Sequence, residues 1–78
     1  MKIQVLGPGC PKCEQLAKNV QTAVHQLGII AEVEKVKDLR EISKLGVMIT
    51  PGLAIDGQVK STGKVLSIDE VRQLLQQA

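Results

Sequence analysis

Cys10 and Cys13 are the only cysteines of the chain, and they lie two residues apart in Gly9-Cys10-Pro11-Lys12-Cys13. A short apolar run, Ile3-Gln4-Val5-Leu6, and a Gly7-Pro8-Gly9 turn come before them, and a helical pattern follows at once. Strand, tight turn and Cys-x-x-Cys at a helix start is the arrangement that suits a dithiol redox site. With Cys10 as the N-cap, Pro11 falls at the first helical position, where its missing N–H costs nothing and its fixed φ suits the helix. The Cys10 sulfur then faces unpaired backbone N–H groups and the positive end of the helix dipole. Both favour thiolate, which is the attacking species. Lys12 adds a positive charge of the same sense, so Pro11 and Lys12 are expected to tune the thiolate. Cys13, two residues after Pro11, is within bonding reach of Cys10 but more enclosed by the helix body. Cys10 is expected to attack and Cys13 to resolve.

Other readings of the pair remain open at this level. A structural disulfide closing so short a loop would remove little chain entropy. Two thiolates can share a soft metal such as copper(I), zinc or a trivalent arsenical. A closed zinc site, however, takes four ligands, and the chain offers only one histidine, His25, in addition. Two unrelated free thiols are the blandest alternative.

The elements that must position the pair can be read in order. Residues 2–6 form a buried strand, ended by Gly7-Pro8-Gly9. From Pro11 to Leu27 the apolar positions Cys13, Leu16, Ala17, Val20, Ala23, Val24 and Leu27 make one helical face. Gly28 supplies the left-handed stop. His25 falls with Lys18 and Gln21 on the polar face, the place of a solvent-exposed histidine. Ile29 to Val36 alternates as a second strand. Asp38 stands as an N-cap with Glu41 three residues on, and Leu39, Ile42 and Leu45 form a short stripe, which predicts a helix over about 38–45. Val47-Met48-Ile49 then meets a Thr50-Pro51 bond. Because proline cannot donate to a ladder, it belongs at an edge or at the beginning of a strand.

Asp56-Gly57 is a type I′ hairpin signal between Leu53-Ala54-Ile55 and Gln58-Val59-Lys60-Ser61. Ser67 and Glu70 form a capping box for a last helix, with Leu66 and Val71 as its hydrophobic staple. Ile68, Val71, Leu74 and Leu75 give that helix its buried face, and Gln76-Gln77-Ala78 are expected to fray. The order is β-α-β-α-β-β-α: an α/β fold in which a right-handed crossover makes the first two strands parallel and the hairpin makes the last two antiparallel. The expectation is a four-stranded mixed sheet flanked by three helices, in a single domain over residues 1–78.

Composition narrows the function. The 78 residues include no Phe, Tyr or Trp, so the core is aliphatic and the rings on which nucleic-acid binders stack bases are missing. The formal net charge is only +2, and the charges alternate in sign, as on a solvated surface. No nucleic-acid partner is expected. No stretch reaches the length of a membrane span, and the N-terminus lacks a signal peptide's apolar region. A cytoplasmic monomer without membrane attachment is expected, in a compartment where a cysteine pair is catalytic or metal-binding rather than structural.

Cys10-Pro11-Lys12-Cys13 after the first strand, Ile49-Thr50-Pro51 before the hairpin and Gly63 after it resemble the thioredoxin/glutaredoxin superfamily, and within it the small thioredoxin-like proteins of the redox-active disulfide protein 2 type. The resemblance spans essentially the whole chain and implies a thioredoxin-like fold and thiol-disulfide oxidoreductase activity on protein or small-molecule disulfides. Cys10 would be the nucleophile and Cys13 the resolving thiol, with no cofactor and with a disulfide reductase or glutathione as electron donor. It implies a cis Pro51 packed beside the dithiol, where it would hinder metal binding. Thr50 would offer backbone groups to an extended substrate, and Gly9 and the loop around Gly63 would wall the groove. The chain departs from the family in places. The tryptophan that thioredoxins carry before the first cysteine is Gly9 here, the aromatic of the glutaredoxin motif is Lys12, and the buried acid beneath the resolving cysteine has no counterpart.

Overall fold

The protein was analysed as a computed structural model, which describes residues 1–77. The chain runs β1 (Lys2–Leu6), α1 (Pro11–Leu27), β2 (Glu32–Val36), α2 (Leu39–Lys44), β3 (Gly52–Ile55), β4 (Gln58–Thr62) and α3 (Ile68–Gln77). The four strands form one sheet in the order β2-β1-β3-β4. β1 pairs parallel with β2 and antiparallel with β3, and β3 pairs antiparallel with β4. This is the mixed α/β architecture expected of a thioredoxin-like fold.

The alternation of side chains along β1 divides the apolar residues between two faces. Ile3 and Val5 point to the face that carries α1 and α3, where they pack in one cluster with Leu16, Val20, Leu53, Ile55, Val71 and Leu75. Leu6 points to the other face and packs with Val36, Ile42, Val47 and Ala54 beneath α2. Full burial of one such aliphatic side chain stabilises by about 1.5–3 kcal/mol, and with no aromatic ring in the chain these residues make up the core. Asn19 on α1 donates to the Leu66 carbonyl at 2.8 Å, tying the long helix to the segment that begins α3. His25 is exposed on the polar face of α1.

Local signals place most element ends. Gly28 is left-handed at φ 64° and closes α1, its N–H bonding to the His25 carbonyl. Asp56 and Gly57 both have positive φ, 50° and 83°, as a type I′ turn requires. The capping box is complete: Ser67 N–H donates to Glu70 Oε1 at 3.0 Å and Glu70 N–H donates to Ser67 Oγ at 3.1 Å. Leu66 and Val71 are both buried beside it.

Expectations change in four elements. β2 begins at Glu32 rather than Ile29, because its partner β1 begins at Lys2 and Lys2 is opposite Glu32. Residues 29–31 have no strand to pair with; Ile29 and Ala31 still lean on the helix-side core while Ile30 stands 97% exposed. In α2 only Leu39–Lys44 are helical, with Asp38 and Leu45 as caps. Asp38 accepts the Arg40 N–H at 2.8 Å rather than forming a box with Glu41, which pairs with Lys44. Leu39 is exposed, so the expected stripe reduces to Ile42 with Leu45 partly covered. β4 extends to Thr62, with Lys60 as an extra residue where the register shifts between Leu53 and Ala54. At the chain end α3 continues through Gln77, and the expected fraying of Ala78 lies outside the described residues.

Candidate active site

The site lies at the C-terminal end of β1, where the strand turns through Gly7-Pro8-Gly9 into α1. Gly7 N–H donates to the Val36 carbonyl at 2.9 Å, extending the β1–β2 pairing by one bond before the chain departs. Gly9 takes φ +95°, a conformation that glycine adopts without steric cost. Cys10 follows in extended conformation, φ −69° and ψ 163°, and is the N-cap of α1 with Pro11 in its first turn. Its Sγ accepts the Cys13 N–H at 3.3 Å, and its carbonyl accepts the Glu14 N–H at 3.0 Å.

The two sulfurs are unlike. Cys10 is half-buried and Cys13 is only 4% exposed; both are free thiols. The Cys10 thiol is pulled below its ordinary pKa, first by the hydrogen bond from the Cys13 side chain, then by the Cys13 N–H and by the Lys12 N–H. Burial pushes the Cys13 thiol up, and its hydrogen bond to Cys10 raises it further. Cys10 is thus the more readily ionised of the two thiols. Lys12 acts on Cys10 through its backbone N–H. Among the described residues none that is buried is polar or charged, so no buried acid lies beneath Cys13.

Sheet register brings the second half of the site to the first. Leu6 is opposite Gly52 across the β1–β3 ladder, so the two residues before Gly52 arrive beside the residue after Leu6. Thr50 is half-buried and its Cβ lies 3.8 Å from the point where a side chain on Gly7 would begin. Pro51 is buried, and the Thr50–Pro51 bond is cis. Gly63 N–H donates to the Pro51 carbonyl at 2.8 Å. Gly63 has φ +71°, and a Cβ there would meet Ile49 Cγ2 at 2.9 Å, so both conformation and space call for glycine. Gly9, Cys10, Pro11, Lys12 and Cys13 thus form one side of the site. Thr50, Pro51 and Gly63 form another, with the exposed Ile49 against Gly63.

Two neighbours escaped the sequence reading. Gly7 looked like part of a turn, yet a Cβ there would overlap Cys13 Sγ. Lys37 looked like one of many surface lysines, yet its Cε and Nζ end 3.9 and 4.0 Å from where a Gly9 side chain would start. The Gly9–Lys37 contact follows from long-range strand pairing and the Gly7–Cys13 contact from the fold of the turn onto its helix, and the spacing of residues along the chain carries no sign of either. No group of three or more His, Cys, Asp and Glu residues is arranged to hold a metal among the described residues, which leaves the cysteine pair itself as the donors for a soft ion. A hollow of about 350 Å³ between β4 and α3, lined by Lys60, Lys64 and Leu74 among others, includes no residue of the dithiol loop.

Comparison with known proteins gives the site a context. A family model described as a thioredoxin domain matches residues 1–76. A protein named thioredoxin from Methanothermobacter thermautotrophicus is 47% identical over 75 residues, covering 96% of this chain and 97% of its own length. Another of that name from Methanocaldococcus jannaschii is 45% identical over 73 residues, covering 94% of this chain and 84% of its own.

Proposed function

This chain belongs to the thioredoxin domain family and is a thiol-disulfide oxidoreductase, and on that premise we propose that Cys10 and Cys13 are its reacting pair. The Cys10 thiolate attacks one sulfur of a substrate disulfide. A Cys10–substrate S–S bond forms, the substrate's own S–S bond breaks, and the departing thiolate takes a proton from water. Cys13, having lost its proton to water or substrate, then attacks Cys10 Sγ. The Cys10–Cys13 bond forms and the second substrate thiolate leaves. Two electrons have passed to the substrate, and a disulfide reductase or glutathione returns them to the protein.

The observation that carries this reading is the Cys13 N–H donated to Cys10 Sγ at 3.3 Å at the helix start. One hydrogen bond favours the thiolate on the more exposed sulfur and sets the two cysteines side by side. Gly9, Thr50, Pro51 and Gly63 are proposed to wall the groove in which the substrate lies extended, with Thr50 offering backbone groups in the manner of an added strand. Pro11 holds the helix start that supports the thiolate. The proposed setting is the cytoplasm, with the protein acting as a monomer. No described helix is long and apolar enough to cross a membrane.

The test is a redox titration of the pair in defined dithiol buffers, read by thiol alkylation and mass spectrometry. A reversible two-electron transition is expected. A midpoint near about −270 mV would mark a reductant and one near about −120 mV an oxidant. If no intramolecular disulfide forms across that range, the redox reading of this pair fails and binding of a soft metal or metalloid by the same two thiolates takes its place.

A further inference from the structure

Lys37 directly follows the last residue of β2. The bond from Gly7 N–H to the Val36 carbonyl holds that strand end against the turn leading into Cys10. The Lys37 side chain crosses to this turn, its Nζ coming within 4.0 Å of the Gly9 side-chain position. Gly9 is the residue immediately before the attacking thiol. A cation is thereby stationed beside the turn that leads into Cys10.

Nearby charges leave it available. Lys35, two residues earlier, is held by Glu14 at 3.0 Å. Asp38, its sequence neighbour, turns its carboxylate to the Arg40 N–H at 2.8 Å. Lys37 and Lys35 both help hold the Glu14 carboxyl below its usual range, but Lys37 itself makes no ion pair among the described residues. Lys12, exposed in the first turn of α1, adds a second cation to the same loop.

We infer that Lys37, poised over Gly9 beside Cys10, is a specificity-determining residue that selects disulfides bearing a carboxylate near the reacting sulfur. The inference rests on Cys10 being the attacking thiol. A thiolate approaching an anionic disulfide meets like-charge repulsion, and a cation beside the preceding residue, Gly9, offsets it during the encounter. Because the lysine is solvated, its effect is on the order of several-fold in rate and is screened by salt, with a Debye length of about 10 Å at 0.1 M.

The experiment compares reduced wild type, Lys37→Gln and Lys37→Arg on dithiodipropionate, bis-hydroxyethyl disulfide and cystamine, which are dianionic, neutral and dicationic. At low salt Lys37→Gln is expected to slow attack on dithiodipropionate about fivefold, to leave the neutral disulfide within about twofold, and to speed attack on cystamine. Lys37→Arg should retain the wild-type order, and high salt should bring the three proteins together. An equal fall on all three disulfides would overturn the inference, because Lys37 would then act on the thiol itself, as would an unchanged rate on dithiodipropionate. A wild type that reduces none of the three would instead bring down the dithiol reading on which the inference stands.

Discussion

The Sγ of Cys13 occupies the space that a side chain on Gly7 would need. A Cβ at position 7 would overlap the sulfur and approach the Cys13 Cβ to 3.0 Å. The Gly7 backbone has no room to retreat, since its N–H is bonded to the Val36 carbonyl. The Cys13 sulfur is therefore seated by the absence of a side chain on Gly7, in the turn before its helix.

Gly7→Ala should destabilise the reduced protein by about 1–3 kcal/mol, the usual cost of overpacking a close contact. Urea unfolding measures it. In a Cys13→Ala background the same substitution should cost less than half as much, because the sulfur it collides with is gone; equal costs in the two backgrounds would refute the contact.

Cys10→Ser should abolish turnover, whereas Cys13→Ser should still attack and then stall as a mixed disulfide. Mass spectrometry after exposure to a disulfide substrate reads the adduct on Cys10. Activity in Cys10→Ser, together with loss of activity and no trapped adduct in Cys13→Ser, would reverse the assignment of roles.

The opposed shifts of the two thiols predict opposed titrations. Alkylation of Cys10 by iodoacetamide should be half-maximal below the ordinary thiol value of about 8.5, and alkylation of Cys13 above it. The stability of the reduced protein follows with defined signs. The lowered pKa of Cys10 contributes stability that is present above the unfolded value and lost as pH falls through the folded one. The raised pKa of Cys13 contributes stability that is present below the unfolded value and lost as pH rises through the folded one. Urea midpoints of the reduced protein should therefore climb toward the ordinary thiol pKa and decline beyond it, and Cys13→Ala should remove the decline.

Ser67→Ala removes the acceptor for the Glu70 N–H and should cost about 0.5–2 kcal/mol of stability. Alanine keeps the Ser67 backbone N–H that chiefly holds the Glu70 carboxyl below its usual range and loses only the smaller side-chain contribution, so the Glu70 titration should move up only part of the way. The redox midpoint of the dithiol should stay where it is, since the cap serves α3 alone.

Much of the fold was legible in the sequence because its signals are local. Cys10 as an N-cap, Gly28 as a stop, Asp56-Gly57 as a turn and Ser67 with Glu70 as a box each involve bonds spanning four residues or fewer. The helical face from Cys13 to Leu27 was equally plain, since its spacing repeats with the helix itself. Such features are set by backbone geometry and the side chain in question, whatever lies elsewhere in the chain.

The beginning of β2 was not legible, because it depends on where β1 begins and so on a pairing thirty residues away in the chain. Leu39 was assigned inward on its spacing from Ile42 and Leu45, yet the six-residue helix buries only Ile42 fully. By itself the sequence determined that two thiols stand at the head of a helix after a strand, and with it which of them is the more exposed. Only the tertiary structure decided that Gly7 seats Cys13, that Thr50 and Pro51 arrive beside them, and that Lys37 stands over Gly9. The first of these comes from the turn folding onto its helix, and the others join elements through sheet register, a property of the assembled strands settled by the burial of both faces at once.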